Sequence, residues 1–142
     1  MPAGENFSDL KNRMRGASLH TVCEEAACPN IGDCWDRRTA TFMILGDTCT
    51  RACSYCNVKT GRPTETDWAE PFRLAQTVKS MELKYAVITS VDRDDLEDAG
   101  STIFAMTIKA VHKSTPGCKV EVLIPDFGGD RESLQRVMDA KP

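Results

Sequence analysis

Three cysteines at the spacing C-x3-C-x2-C stand in the stretch Asp47-Thr48-Cys49-Thr50-Arg51-Ala52-Cys53-Ser54-Tyr55-Cys56-Asn57. We call Cys49, Cys53 and Cys56 the downstream triad. A structural zinc site usually takes four ligands, which commonly arrive as C-x2-C pairs. Iron–sulfur clusters are held by cysteine thiolates, so three thiolates at one site indicate a cluster with one iron that no cysteine binds.

The same spacing also allows a simpler interpretation. Residues at i, i+4 and i+7 would form one buried stripe if this stretch were a helix. Gly46 and Asp47 precede the triad, however, and polar residues separate its members. Glycine and aspartate are typical of turns and loops, so we predict that the three thiols are cluster ligands in a loop.

A second group of three cysteines lies upstream at the spacing C-x4-C-x5-C. We call Cys23, Cys28 and Cys34 the upstream triad. Pro29 and Gly32 interrupt this segment, which argues against one long helix. On an ideal helix Cys28 would also face away from the other two cysteines. The sequence therefore predicts a loop that wraps a metal group.

The remaining hydrophobic pattern alternates between strands and helices. Predicted strands cover residues 41–45, 85–89 and 120–124, and predicted helices cover residues 8–15, 71–81 and 101–113, with a further helix capped by Asp130. Continuous apolar runs are typical of strands buried on both faces. Alternation of this kind predicts an α/β fold with parallel strands and right-handed crossovers.

Composition limits the classes of function. The 142 residues suffice for one domain with a real core, and the formal net charge of −3 gives no nucleic-acid footprint. The first residues lack a signal peptide, and no apolar run reaches the roughly 18–20 residues of a membrane span. Six of the seven cysteines lie in two tight local groups, which indicates metal ligation in a reducing compartment. We expect a cytoplasmic protein, or an organellar one if a transit segment has been removed.

The downstream triad, with the aromatic Tyr55 before its last cysteine, resembles the signature of radical S-adenosylmethionine (SAM) enzymes. Both triads in this order resemble the lipoyl synthase family. Further stretches that carry the resemblance are residues 39–47, 89–96 and 125–130. The likeness extends from about residue 4 to the last residue, so it implies the N-terminal portion of such an enzyme.

This resemblance implies two [4Fe–4S] clusters and SAM as cofactors. The downstream triad would hold the cluster that binds SAM and reduces it to a 5′-deoxyadenosyl radical, with Tyr55, Ser90 and Asp92 as candidate SAM-binding residues. Tyr55 could equally be a core aromatic, and Ser90 and Asp92 could be structural loop residues. The upstream triad would hold an auxiliary cluster that is consumed to supply sulfur. No side chain receives a catalytic role of its own.

The implied reaction inserts two sulfur atoms at C6 and C8 of an octanoyl chain on a carrier-protein lysine. The implied partners are therefore an octanoylated lipoyl-carrier domain and an electron donor such as a ferredoxin or flavodoxin. Neither a nucleic acid nor a membrane is expected. The family's fourth ligand to the auxiliary cluster is a serine in an Arg-Ser-x-x-Ser motif, which this sequence does not contain.

The resemblance also implies a partial TIM-type (β/α) barrel of six units, of which about the first three are present here. We expect residues 1–38 to form an N-terminal extension with the upstream triad, and residues 39–142 to form the truncated first half of the barrel. Ala99 stands where the family commonly has glycine, which puts the conformation of that turn in question.

Two alternatives stay open. The first is a zinc-binding structural module without catalysis, which would need a fourth ligand for each triad from His20, His112, Cys118 or a carboxylate. The second is a radical SAM enzyme that acts on another substrate.

Overall fold

The computed structural model describes residues 5–25 and 27–142. The helices are α1 (Glu5–Gly16), α2 (Val22–Glu25), α3 (Ile31–Asp36), α4 (Glu70–Ser80), α5 (Ser101–Ser114) and α6 (Arg131–Asp139). The strands are β1 (His20–Thr21), β2 (Thr39–Ile44), β3 (Thr48–Cys49), β4 (Lys59–Thr60), β5 (Tyr85–Ser90) and β6 (Lys119–Leu123). A 3-10 turn spans Phe127–Gly129.

The main sheet has the strand order β1-β2-β5-β6. The strands β2, β5 and β6 are parallel, and their register pairs Phe42 with Ile88 and Ile88 with Val122. The helices α4 and α5 connect them, as the alternating pattern predicts. The α/β prediction is therefore confirmed. The sheet is nevertheless mixed, because β1 pairs antiparallel with β2. The sequence does not predict β1, because a strand of two residues is too short to show a hydrophobic period.

The N-terminal segment differs in part from the sequence prediction. The helix expected at residues 8–15 is present as the longer α1. The segment of the upstream triad is not one long helix, as predicted, yet it contains the short helices α2 and α3 where a loop was expected. Between them Ala27 has a φ of 49°, a left-handed conformation that ends a helix. The predicted boundary at residue 38 separates β1 from β2 within one sheet.

The core lies between the sheet and its helices. The strand residues Phe42 and Ile88 are fully buried, as are Leu74 of α4 and Phe104 of α5. Near β1 and β2, Trp35 of α3 is also fully buried, and its ring lies 5.1 Å from the ring of Phe7 on α1. Burial alternates along β5 and β6, so the helices cover one face of the sheet, and the expectation from the apolar runs that the strands are buried on both faces is wrong.

The three parallel strands end at the same side of the sheet, which we call the carboxyl edge. Three loops begin there, residues 45–58 after β2, residues 91–100 after β5 and residues 124–130 after β6. The first of these loops carries the downstream triad. In parallel α/β sheets the ligand sites lie beyond the carboxyl ends of the strands. A ligand site is therefore expected at this edge.

Two consecutive residues at the start of α5 have left-handed backbone, Ala99 with φ 49° and Gly100 with φ 87°. A Cβ atom on Gly100 would lie 2.2 Å from Cδ1 of Leu45, a buried side chain, so glycine is required at this position. Ala99 instead has the Cβ atom that disfavours such a φ. The turn therefore forms despite the alanine, and it carries local strain.

We predict that Ala99→Gly raises the free energy of unfolding by about 0.5–1 kcal/mol. The left-handed conformation costs an alanine roughly 1–2 kcal/mol, and the greater freedom of glycine in the unfolded chain offsets part of that gain. Urea unfolding measures the change. As a control, Gly100→Ala should lower the same free energy by about 2 kcal/mol or more, because the new methyl group meets Leu45. An Ala99→Gly variant less stable than the parent chain would contradict the claim that the backbone at Ala99 is strained.

Candidate functional site at the carboxyl edge

The downstream triad lies in the loop that follows β2. Cys49 is buried in β3, which pairs in parallel with β4 at the end of the same loop. Cys53 and Cys56 are exposed, and the Cys56 N–H donates to the Cys53 carbonyl at 3.1 Å, which closes a turn. The segment is thus a short strand followed by a turn, so the alternative of a buried helical stripe is wrong.

Asp92, just beyond β5, contacts the first cysteine of this triad. Its backbone N–H donates to Cys49 Sγ at 3.2 Å, and one of its carboxylate oxygens lies 3.8 Å from the same sulfur. The Thr50 N–H donates to the Asp92 carbonyl at 3.0 Å. Asp92, a candidate SAM-binding residue, therefore lies beside the downstream triad, and its part in binding SAM stays a prediction.

Tyr55 lies between the two exposed cysteines and is itself 91% exposed, so the core-aromatic alternative is wrong. A hydrogen bond to Cys53 raises the pKa of the Tyr55 hydroxyl, and the charges of Cys53, Cys56 and Asp92 raise it further. One hydroxyl group is therefore within electrostatic reach of two cysteines of the triad and of the aspartate that contacts the third. These groups share one surface of the carboxyl edge.

Ser90, the last residue of β5, lies directly opposite Ile44 of β2. Its Oγ atom is buried and has no hydrogen-bond partner among the described residues. Buried hydroxyl groups are normally paired. The unpaired hydroxyl therefore stands at the strand end where a bound ligand could satisfy it.

Arg51 ties the loop of the downstream triad to the neighbouring loops. Its guanidinium donates two hydrogen bonds to Asp94, at 2.9 and 2.7 Å, and two to Asp126, at 3.0 and 2.9 Å. We call these three residues the Arg51 clamp. The hydrogen bonds from Arg51 lower the pKa of Asp94 and lower that of Asp126 to about 2. Both carboxylates are therefore ionised, and the clamp formed, at neutral pH.

The chain leaves β2 through a left-handed turn, with a φ of 69° at Leu45 and 92° at Gly46. The Leu45 N–H donates to Glu70 Oε2 at 2.8 Å, and Arg93 Nη1 donates to the Leu45 carbonyl at 3.2 Å. Glu70 is 5% exposed and Arg93 is 2% exposed. Two buried charged groups thus hold both polar atoms of one residue at the start of the cysteine loop.

Glu70 and Arg93 are residues that the sequence analysis missed. Arg93 also donates to both carboxylate oxygens of Asp95 at 2.8 Å, so its buried charge is paired. In sequence Arg93 stands among aspartates and Glu70 directly precedes the predicted helix at residues 71–81, so neither is marked as an interior group. Only the packing of α4 and of the loop after β5 against Leu45 makes them interior groups.

The cysteines of the upstream triad lie on and between the two short helices, where the Cys28 N–H donates to the Cys23 carbonyl at 3.0 Å. Burial raises the pKa of the Cys34 thiol, and the charges of Cys23, Asp33 and Cys28 raise it further. The Cys34 thiol is therefore within electrostatic reach of the other two cysteines of the upstream triad. Next to Cys34, the buried Trp35 has an indole Nε1 without a partner among the described residues.

All seven cysteines are free thiols. Within residues 5–25 and 27–142, no group of three or more His, Cys, Asp and Glu side chains is placed to hold a single metal ion. The cysteine ligands of an iron–sulfur cube each bind a different iron and so lie farther apart than the ligands of one ion. In donor type, both triads fit such a cube.

The candidates for a fourth zinc ligand have other partners. His20 Nδ1 lies 3.2 Å from a Glu25 carboxylate oxygen, and His112 Nε2 lies 2.9 Å from the Lys141 carbonyl. Cys118 is buried, and its thiol faces the carbonyl of the next residue at 3.5 Å. The structure therefore places none of these three side chains as the fourth ligand of a triad.

A family model described as the radical SAM superfamily matches residues 43–142. The chain belongs to the radical SAM superfamily. Membership implies a [4Fe–4S] cluster and SAM as cofactors, which fits the cysteine set at the carboxyl edge. A second family model, for the N-terminal domain of lipoyl synthase of the radical SAM family, matches residues 1–28.

Curated relatives match the whole chain. A lipoyl synthase of Rubrobacter xylanophilus is 59% identical over 142 residues, which are 100% of this chain and 44% of that protein. A lipoyl synthase of Chloroflexus aggregans is 55% identical, covering 99% and 46% of the two chains. One from a Geobacillus species is 57% identical, covering 97% and 47%. The chain thus spans less than half the length of these radical SAM relatives.

As for membranes, the helices in the described part of this radical SAM chain are all too short or too polar to cross a bilayer.

The buried carboxyl group of Glu70 generates a prediction about pH. Burial raises the pKa of Glu70 above its ordinary value of 4.5, and the charge of Asp67 acts in the same direction, whereas the bond from Leu45 and the charges of His20 and Arg73 oppose it. A raised folded-state pKa contributes stability that is present below the unfolded pKa. That contribution is lost as pH rises through the folded-state pKa.

We therefore expect Glu70→Gln, which accepts the Leu45 N–H but does not ionise, to gain stability relative to the parent chain as pH rises above 4.5. Chemical denaturation at several pH values measures the difference. Glu70→Ala should lose about 1–3 kcal/mol, because the Leu45 N–H is left unpaired. Glu97→Gln, at an exposed position, is the control. A difference in unfolding free energy between Glu70→Gln and the parent that does not change with pH would contradict the prediction.

Proposed function

We propose that this chain is the N-terminal portion of a lipoyl synthase. That enzyme inserts two sulfur atoms at C6 and C8 of an octanoyl chain held on a carrier protein. The observation that carries the proposal is the upstream triad of free thiols, with Cys34 within electrostatic reach of Cys23 and Cys28, which is present in addition to the downstream triad of the superfamily. A radical SAM enzyme that only cleaves SAM needs one cysteine set. The names of the relatives support the same assignment.

In this proposal the downstream triad holds the cluster that binds SAM. When bound, the cluster and SAM together supply the radical chemistry that activates unreactive carbon–hydrogen bonds. The chain's own groups place that chemistry: Cys49 is fixed by the Asp92 N–H, and the unpaired Ser90 hydroxyl offers a hydrogen bond at the strand end. Tyr55 is the exposed aromatic group beside the triad and a candidate contact for SAM.

The upstream triad holds the second, auxiliary [4Fe–4S] cluster, the source of the inserted sulfur. Its fourth ligand comes from sequence outside these 142 residues, because no Arg-Ser-x-x-Ser motif occurs within them. The unpaired indole Nε1 of Trp35, adjacent in sequence to Cys34, supports a polar group at this position. Buried donors normally have a partner.

We propose further that residues 39–142 are the first half of a partial TIM-type barrel and that residues 1–38 are an extension with the upstream triad. Exposed large apolar side chains at the end of β6 and on α6 support this, namely Leu123, Ile124, Leu134 and Met138. Large exposed apolar patches mark interaction sites. The strand β6 lies at an edge of the sheet, and a further β/α unit beside it would cover these side chains.

The proposed partners follow from the reaction. They are an octanoylated lipoyl-carrier domain as substrate and a ferredoxin or flavodoxin as electron donor. The net charge of −3 supports the absence of a nucleic-acid partner. We propose a cytoplasmic location, or an organellar one after removal of a transit segment, because six of the seven cysteines lie in the two triads, as expected for metal ligands kept reduced.

The test of the proposal is iron and acid-labile sulfide per chain after anaerobic reconstitution. Two cubes give about eight irons, and replacing the downstream triad with alanine should leave about four. Replacing the upstream triad should also leave about four, whereas the control Cys118→Ser should change nothing. Zinc without labile sulfide would favour the structural zinc module.

SAM cleavage separates the remaining alternative. The test uses a protein of the relatives' full length in which the upstream triad is replaced. It should cleave SAM but produce no lipoyl group on an octanoylated carrier domain. Full activity of that variant on any substrate would favour a radical SAM enzyme of another kind. Loss of SAM cleavage in the downstream variant is expected under both hypotheses.

The proposed barrel predicts that the 142-residue chain associates with itself through the surface on β6 and α6. Leu123→Lys and Met138→Lys should shift the chain toward monomer in sedimentation velocity, because a charge disfavours burial of that surface. Phe72→Lys, at an equally exposed position on α4, is the control. A monomeric parent chain at tens of micromolar would contradict the prediction.

A further inference from the structure

Arg51 stands between two cysteines of the downstream triad, and its guanidinium binds two carboxylates at once. Asp94 lies in the loop after β5, 43 residues away, and Asp126 lies in the loop after β6, 75 residues away. Each carboxylate accepts two hydrogen bonds, at distances between 2.7 and 3.0 Å. One side chain therefore connects the loops that follow all three parallel strands.

Both carboxylates of the Arg51 clamp have further hydrogen-bond partners besides the guanidinium. Thr50 Oγ1 donates to Asp94 at 2.8 Å, and the Asp94 N–H donates to Thr50 Oγ1 at 3.2 Å. Asp126 accepts the Gly128 N–H at 2.9 Å. Such fixed acceptors reduce the entropy that an ion pair loses when it forms, and bidentate charged pairs are stronger than single ones.

The charges around Arg51 indicate what the clamp does. Asp92 also lies 3.7 Å from the guanidinium, so one positive group faces three carboxylates. Arg51 therefore leaves no net positive charge for the thiolates of the triad. Arg51 contributes the fixed geometry of its two forks, meaning the pair of hydrogen bonds that it donates to each carboxylate. A point charge such as that of lysine does not reproduce this geometry.

The position of Arg51 in the loop determines which part of the loop is fixed. Cys49, on one side, is already held in β3 and by Asp92. Cys53 and Cys56, on the other side, lie in an exposed turn closed by their own backbone hydrogen bond. The clamp is applied immediately before that turn, so it sets where the turn stands relative to Cys49.

We propose that Arg51 is a positioning residue that holds the turn of Cys53 and Cys56 in the arrangement that the cluster needs, through its forks to Asp94 and Asp126. The inference rests on the proposed cluster-binding role of the downstream triad. It concerns the placement of two ligands and assigns Arg51 no contact with the cluster or with SAM.

Amide hydrogen exchange of the metal-free chain tests the positioning directly. In Arg51→Lys and in Arg51→Gln, peptides that cover residues 46–61 should exchange about tenfold faster, because the loop opens more often without the forks. The control is Arg13→Lys, which alters another arginine with a carboxylate and a carbonyl partner, Asp9 and Ser80. It should leave residues 46–61 unchanged. Unchanged exchange in both Arg51 variants would overturn the proposal.

The rate at which a chelator removes iron from the reconstituted chain gives the second readout. Both Arg51 variants should release the iron of the downstream triad about tenfold faster, at unchanged thermal unfolding of the core. If lysine preserves the parent rate while glutamine loses it, positive charge alone suffices and the positioning role is wrong. Asp126→Asn, which weakens one fork on an exposed residue, should give an intermediate rate.

These two readouts separate this inference from the proposed function. If the parent chain binds no iron–sulfur cluster, the proposed function fails, and hydrogen exchange still decides whether Arg51 orders the loop. If the parent chain binds the cluster and the Arg51 variants keep both its release rate and its loop protection, only the positioning role fails.

Discussion

The residue on which the carboxyl edge depends is Leu45. The chain must leave β2 in a left-handed turn there, and the buried carboxylate of Glu70 and the buried guanidinium of Arg93 hold its N–H and its carbonyl. A buried charge is costly unless it is paired and hydrogen-bonded, so this arrangement tolerates little displacement. The side chain of Leu45 in turn requires a glycine at position 100, where α5 begins. The start of the cysteine loop and the start of α5 are thus fixed by one residue.

From that turn outward, the site is assembled by contacts between loops that are distant in sequence. The backbone of Asp92 meets Cys49 and Thr50, and Arg51 reaches the loops after β5 and β6. Each of these contacts joins the end of one parallel strand to the end of another. The exposed turn that carries the other two cysteines of the downstream triad extends from this cross-linked base. A rigid base below an exposed ligand loop suits a site that must receive both a cluster and a small cofactor.

Much of this could be predicted from the sequence. The three parallel strands with their helices follow from apolar runs that alternate with amphipathic segments, and the loop character of the downstream triad follows from Gly46 and Asp47 before it. The short elements could not be predicted. The strand β1 and the helices α2 and α3 are too short to show a hydrophobic period, and they form because they pack against β2. Tyr55 had equal claims as a SAM-binding residue and as a core aromatic until its exposure was known.

By itself the sequence determined the α/β class, the two cysteine triads and the superfamily, because periodicity and ligand spacing are local properties of the chain. Tertiary structure alone decided which charged residues are interior. Glu70 and Arg93 look like surface residues in the sequence and become the buried supports of Leu45. It also decided that Arg51 meets Asp94 and Asp126. The reason is physical: desolvation and ion pairing depend on groups that are 25 to 75 residues apart along the chain, and only folding brings them within a hydrogen bond of each other.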